Sequence, residues 1–208
     1  MNLPPVIVVL AAGRGSRFEG PSHKLSQPLG QGSVLGQTIS HAIATRLPVT
    51  VVTTAGLASE ASRWVAGRDL VVLPEVGSAG QSSLGMGYSI AAGVAASPDA
   101  GGWLVLPGDM PLIRPETILA VARELARHPV VYAQYAGRRG HPVGFSSELY
   151  SELALLKGDE GARRVMARFP SHGLDVDDPG VLMDVDTTQD LLRARSALAS
   201  AQAAAAQR

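Results

Sequence analysis

The chain has 208 residues, 46% apolar and 17% charged, which is hydrophobic material enough for one packed domain and too much for a disordered chain. Its 18 basic and 18 acidic residues cancel to a formal net charge of +0. That balance argues against a broad basic face for DNA or RNA, while leaving room for a small anion in a pocket with a few local cations. With 0 cysteines, the chain has no disulfide, thiolate zinc site, iron–sulfur cluster or cysteine nucleophile.

The opening Met1-Asn2-Leu3-Pro4-Pro5 carries no positive charge ahead of an apolar stretch. The apolar run over 6–12 is too short for a signal or membrane helix, so a soluble cytoplasmic protein is the expectation. Residues 6–10, 49–53, 70–73 and 103–106 are short apolar or β-branched runs and predict buried strands. They are continuous rather than alternating, as strands of a parallel sheet covered on both faces are. Between and after them, 34–46, 58–66, 89–96 and 115–127 predict helices, with Pro115 at a first helical position and Glu116 in the first turn. The alternation predicts a three-layer, doubly wound, mostly parallel α/β sheet of Rossmann-like type.

After a strand over 130–134 the pattern changes. Gly137-Arg138-Arg139-Gly140 reads as a turn leading into a second strand over 141–145, a hairpin. Helices over 148–155 and 160–169 follow, then strands near 174–176 and 181–185. A last helix begins near Thr187 and enters an Ala/Gln-rich tail, 199–208, which is expected to fray. No linker or internal repeat divides the chain, so 1–198 reads as a single domain.

Three segments carry chemistry. The first strand ends in Leu10-Ala11-Ala12-Gly13-Arg14-Gly15-Ser16-Arg17, followed by Lys24. Small residues at a strand's carboxyl end let backbone amides approach and cradle phosphate, and Arg17 and Lys24 would supply cations for a triphosphate. The competing reading is a plain βα turn. A dinucleotide fingerprint fails, because Phe18 stands at the third glycine position and the second strand ends in Thr53-Thr54-Ala55-Gly56 without a carboxylate. A Walker loop fails for want of Gly-Lys-Ser/Thr. The fourth strand ends in Pro107-Gly108-Asp109-Met110-Pro111, where Asp109 suits a magnesium ligand or, alternatively, a turn aspartate. Met183-Asp184-Val185-Asp186-Thr187 sets two carboxylates on one face of an extended strand; one of them suits the same metal, and a cap on the last helix better suits Asp186 or Thr187.

These segments occur in order with Pro28-Leu29, Gly32-Ser33-Val34-Leu35, Gly85-Met86-Gly87-Tyr88-Ser89-Ile90, Gly140-His141-Pro142-Val143-Gly144-Phe145 and Gly158-Asp159-Glu160-Gly161-Ala162-Arg163. Together they resemble the molybdenum-cofactor cytidylyltransferase branch of the MobA-like nucleotidyltransferase family, over about residues 6 to 192. The resemblance implies that Leu10, Ala11, Ala12 and Gly13 hold base and ribose, with Pro74 and Ser89 also on the nucleotide, and that Gly15, Arg17 and Lys24 hold the triphosphate. Arg17, Lys24 and Asp109 would be catalytic, with Asp109 and Asp186 binding Mg2+. Gly85, His141, Pro142, Asp159 and Arg163 would face the acceptor, making the hairpin and the helices after it an acceptor-side lobe. Ala12 at the third place of the opening motif implies cytidine rather than guanine. Two stretches depart from the family's pattern: Glu19 to Ser22 lengthens the path from Arg17 to Lys24, and 75–84 is lengthened ahead of Gly85. The remaining histidines, His23, His41, His128 and His172, have no spacing of a metal cluster and read as solvent-facing or helix-end residues.

The implied reaction is transfer of CMP from CTP to the terminal phosphate of a phosphorylated pterin-type acceptor, molybdenum cofactor, with release of pyrophosphate. The nucleophile is already anionic, so positioning and charge neutralisation carry the rate. A molybdoenzyme or its maturation factor is the expected recipient. The alternatives are transfer from GTP, another acceptor (a phosphosugar, phosphoalcohol or phospholactate), or a nucleotide-binding accessory protein without turnover.

Overall fold

The structure, a computed structural model, describes residues 3–13, 15, 18–19, 22–74, 85–159 and 161–206. Strand β1 (Val6–Ala11) is followed by a small hairpin, β2 (Pro28–Leu29) and β3 (Gly32–Ser33), that leads into α1 (Val34–Ala44). Then come β4 (Val49–Thr54), α2 (Ala55–Ala61), β5 (Leu70–Leu73), α3 (Gly85–Ala95), β6 (Gly102–Pro107) and α4 (Pro115–Glu124). The rest is β7 (Val130–Tyr135), β8 (Arg138–Ser146), α5 (Tyr150–Ala154), α6 (Arg163–Arg168), β9 (Ser171–Asp175) and α7 (Thr188–Ala206).

Seven strands make the main sheet, in the order β5-β4-β1-β6-β8-β7-β9. β1 pairs in parallel with β4 and β6, β4 with β5, and β7 with β9. β8 alone runs against its neighbours β6 and β7. The expected hairpin is therefore present and is built into the main sheet. The β7–β8 register shifts between Tyr132 and Gln134, opposite Pro142, which has no N–H to give a ladder and is accommodated at such a bulge.

Side chains alternate between the faces of a strand, and here both faces are dry. Ile7, Val9 and Ala11 enter one core with Leu35 and Ile39 of α1, Leu57 of α2, Ile118 and Val121 of α4 and Leu191 of α7. Val6 and Val8 enter a second core with Ile90 and Val94 of α3, Leu153 of α5 and Val165 of α6. Helices on both faces explain why the strands read as unbroken apolar runs. The expected three-layer α/β architecture is what forms.

Some boundaries differ. α2 starts at Ala55, ahead of the expected 58, because Thr54 takes up the extended N-cap geometry. α6 is confined to Arg163–Arg168, after glycines with φ of 66° at Gly158 and 57° at Gly161. The strand expected over 181–185 does not form. Pro179–Leu182 is a 3-10 turn capped by Asp178, whose Oδ1 accepts from Gly180 N at 3.0 Å. Val181 and Val185 are buried all the same, the 179–182 turn packing against β7 and β8 without joining their ladder. α7 runs on to Ala206, through most of the segment where fraying is expected.

Candidate active site

The carboxyl ends of β1 and β6 lie side by side, and the backbone there is tied down. Gly108 N donates to Leu10 O at 2.8 Å, and Thr38 Oγ1 on α1 donates to Gly108 O at 2.9 Å. A Cβ on Gly108 would lie 2.9 Å from Leu10 O, so only glycine lets the two strand ends approach this closely. The turn that carries Asp109 is thereby clamped onto the loop after β1.

Lys24 opens a 3-10 turn, Lys24–Ser26, and its neighbour His23 fixes that turn in place. Leu25 N donates to His23 Nδ1 at 3.2 Å, which leaves the Nε2 proton to donate to Gly13 O at 3.0 Å. The helix-end role expected for His23 is observed. From this mount Lys24 Nζ donates to Asp109 Oδ2 at 2.6 Å and to Asp186 Oδ1 at 2.5 Å. The Asp186 segment is held against Asp109 by a backbone bond, Val185 N to Asp109 O at 2.9 Å. Thr187 caps α7 in a reciprocal pair with Asp190, Asp190 N donating to Thr187 Oγ1 at 3.1 Å and Thr187 N to Asp190 Oδ2 at 3.0 Å. Capping thus falls to Thr187, and the Asp186 carboxylate turns to Lys24.

Two carboxylates held this close repel each other by about 4 kcal/mol at an effective dielectric near 20. A cation between them removes that cost, and in this structure the cation is the Lys24 ammonium. Burial pulls the Lys24 pKa down, but the charges of and hydrogen bonds to Asp109 and Asp186 outweigh it and hold the pKa above 10.5. Partial desolvation, aided by the like charges of Asp186 and Asp109, pushes the nearby Asp184 carboxyl up. His141 is desolvated, which lowers its pKa against the attraction of Asp109. The site is an acidic cluster in which two carboxylates share one internal cation.

Of the expected site residues, Lys24, Asp109 and Asp186 are brought into direct contact, with Asp184 and His141 in their field. Leu10, Ala11, Ala12, Gly13 and Gly15 run along and just beyond the end of β1. Arg17 lies outside the described residues, as does the lengthened stretch 75–84. Pro74 is exposed just past β5. Ser89 is buried in α3, its hydroxyl on Gly85 O at 3.4 Å. On the acceptor side, Gly85 opens α3 with φ of 72° and packs directly on residues 158–159. Gly87 N donates to Gly158 O at 2.8 Å, so the start of α3 and the Asp159 loop form one surface. Arg163 is exposed at the start of α6.

Two supporting residues escape sequence reasoning. Thr38 is a mid-helix threonine until the fold puts it under Gly108. Asp178 is buried and accepts from Arg114 N at 2.9 Å and Thr117 Oγ1 at 2.7 Å, tying α4 to the chain that leads to Asp186. The Asp-Pro-Gly run is the one signal for it.

The donor chemistry fits a divalent cation of the magnesium or manganese class. Asp109 and Asp186 offer oxygen ligands only, and they already converge on one positive charge.

A model of the family described as "MobA-like NTP transferase domain" matches residues 7–174. The bifunctional protein GlmU of Xanthomonas oryzae is 33% identical over 151 residues, 68% of this chain and 30% of that protein. The chain thus spans about a third of the length of this relative. Among solved structures, Rv0371c from Mycobacterium tuberculosis superposes with a TM-score of 0.80 and 29% identity, covering 94% of this chain and 99% of that one. A structure of Rv0371c in complex with manganese matches with a TM-score of 0.75 and 29% identity, over 94% of this chain and 100% of that one.

Proposed function

Because the chain belongs to the MobA-like NTP transferase domain family, we propose that it is a divalent-metal-dependent nucleotidyltransferase that transfers CMP from CTP to the terminal phosphate of molybdenum cofactor. The observation that carries the reading is the convergence of Lys24, Asp109 and Asp186 at the end of β1, beside a glycine-bearing loop of small residues. A pure nucleotide carrier has no evident use for a lysine and two carboxylates gathered at one strand end. The match over 94% of this chain to a relative solved in complex with manganese supports the use of a divalent metal. Mg2+ is the ion we assign to the carboxylate pair.

Each side chain then has one task. Asp109 and Asp186 would hold the metal, and its charge would offset that of the triphosphate. With an ion on the carboxylates, the Lys24 ammonium would be available to the phosphates, where charge grows on the departing pyrophosphate. Arg17 is assigned the second phosphate contact. Leu10, Ala11, Ala12, Gly13, Gly15, Pro74 and Ser89 bind the nucleotide, and Ala12 is the residue that supports cytosine over guanine. Gly85, His141, Pro142, Asp159 and Arg163 face the acceptor. The desolvation that lowers the His141 pKa favours its neutral ring. No general base is required, since the acceptor phosphate attacks as an anion. The product would pass to a molybdoenzyme or its maturation factor.

Incubating the protein with Mg2+, molybdenum cofactor and an equimolar mixture of CTP and GTP, followed by mass spectrometry, tests the choice of base and acceptor together. The cytosine dinucleotide is the expected product. The guanine dinucleotide, or product only in a parallel reaction with a phosphosugar or phospholactate in place of the cofactor, would move the chain to another branch of the same chemistry.

A further inference from the structure

Away from the strand ends that carry the acidic site, the fold assembles a second cluster that the sequence does not announce. Glu124 is the last residue of α4, and the helical geometry continues past it: His128 N donates to Glu124 O at 3.1 Å. Glu124 and His128 therefore share one face, with His128 Nε2 3.8 Å from Glu124 Oε2. Pro129 ends the turn, and its carbonyl accepts from Ser146 N at 2.9 Å, which fixes where His128 sits. His172 comes from the outermost strand, β9, in register with Val131 of β7. Its ring lies over that of His128 with centroids 4.1 Å apart and planes 7° from parallel. One donor atom from each of Glu124, His128 and His172 lies within 4.8 Å of the others, and all three residues are half-buried.

We propose that Glu124, His128 and His172 bind a zinc-class divalent transition-metal ion, a site separate from the carboxylates of the active site. The donor sets divide by chemistry. Two imidazoles and one carboxylate suit Zn2+, whereas the Asp109–Asp186 pair offers only oxygens and suits Mg2+ or Mn2+. The ligand atoms must close from 4.8 Å towards the spacing around a tetrahedral ion, about 3.4 Å for ligands near 2.1 Å from zinc. Binding requires the two imidazoles, stacked at 7° here, to turn out of that stack so that each ring plane aims its donor nitrogen at the ion, with a water completing the shell. The ion would pin the outermost strand β9 to the α4–β7 turn, joining segments far apart in sequence.

The test is calorimetric titration of metal-stripped full-length protein with Zn2+ alone, in excess Mg2+ so that the oxygen site is filled. Wild type is expected to bind one Zn2+ per chain. His128→Gln and His172→Gln should each weaken binding by about 10-fold or more. Zn2+ should raise the Tm of wild type and not of either variant. Both variants should keep Mg2+-dependent activity unchanged, and Glu124→Gln serves as a third variant should a histidine replacement unfold. Equal Zn2+ binding by wild type and both histidine variants would overturn the proposal. So would no Zn2+ binding by wild type, or binding that disappears in Asp109→Asn and persists in His128→Gln.

Discussion

Lys24 sits between Asp109 and Asp186 at 2.6 and 2.5 Å, and replacing different members of this group alters different quantities. Asp109→Asn keeps the shape and removes the charge, so transfer should fall by about 10²–10³, equivalent to about 2.7–4 kcal/mol, with Tm little changed. Lys24→Met leaves the two carboxylates facing each other without their cation. It should cost about 1–3 kcal/mol in urea denaturation, and added Mg2+ should restore more stability to the variant than to wild type. His41 gives a pH test away from the site. Its Nδ1 lies 2.8 Å from Ile113 O and its Nε2 2.8 Å from Gln37 Nε2, contacts that a neutral ring with the proton on Nδ1 satisfies. Burial lowers its pKa in the folded state below 6.5. A base depressed by folding contributes stability that is complete above 6.5 and is lost as pH falls through the folded value. Thermal unfolding from about pH 8 to about pH 5 should show that loss, and His41→Gln should flatten it.

The same logic extends to elements. The start of α3 rests on residues 157–159 through Gly85, where a Cβ would fall 2.2 Å from the Gly158 carbonyl group. Gly85→Ala must therefore push that loop away in addition to straining a φ of 72°. The expected result is a raised KM for the acceptor with the KM for nucleotide nearly unchanged, measured by steady-state kinetics. Thr38→Val removes the hydroxyl that anchors the Gly108 carbonyl and leaves that acceptor buried, at a cost of about 1–3 kcal/mol by denaturant melt. Elements also show which local patterns can be read. β1, β4 and β6 are legible because both their faces are buried, so composition alone marks them, whereas the edge strand β5 is legible from its β-branched run although Val72 is exposed. The segment 181–185 is apolar but for Asp184, and its burial comes from packing against β7 and β8 rather than from a ladder, which local composition does not distinguish. α6 is shorter than its polar pattern suggests because glycines with positive φ delay its start.

At the scale of the molecule, alternating strands and helices are enough to foresee a three-layer sheet and the turn at 137–140 foretells the β7–β8 hairpin, whereas the seating of β8 beside β6 depends on pairings that no local pattern encodes. The site was legible as candidates. Asp109 stood out at a strand end and Asp186 in an acidic run, but Lys24 is 85 residues from the first and 162 from the second, so their contact belongs to the fold. His128 and His172 show the converse: without a shared motif they were read as unconnected, and only the β7–β9 register brings them together.

The most direct measurement is pyrophosphate release in Mg2+ with CTP, GTP, ATP or UTP, each with and without molybdenum cofactor, on wild type and Asp109→Asn. Release by wild type with CTP only when the cofactor is present, and its near-abolition in a folded Asp109→Asn, is the result this account predicts. Undiminished release by folded Asp109→Asn would contradict the assignment of the site. No release from any combination, by wild-type protein that binds nucleotide, would contradict the proposed reaction.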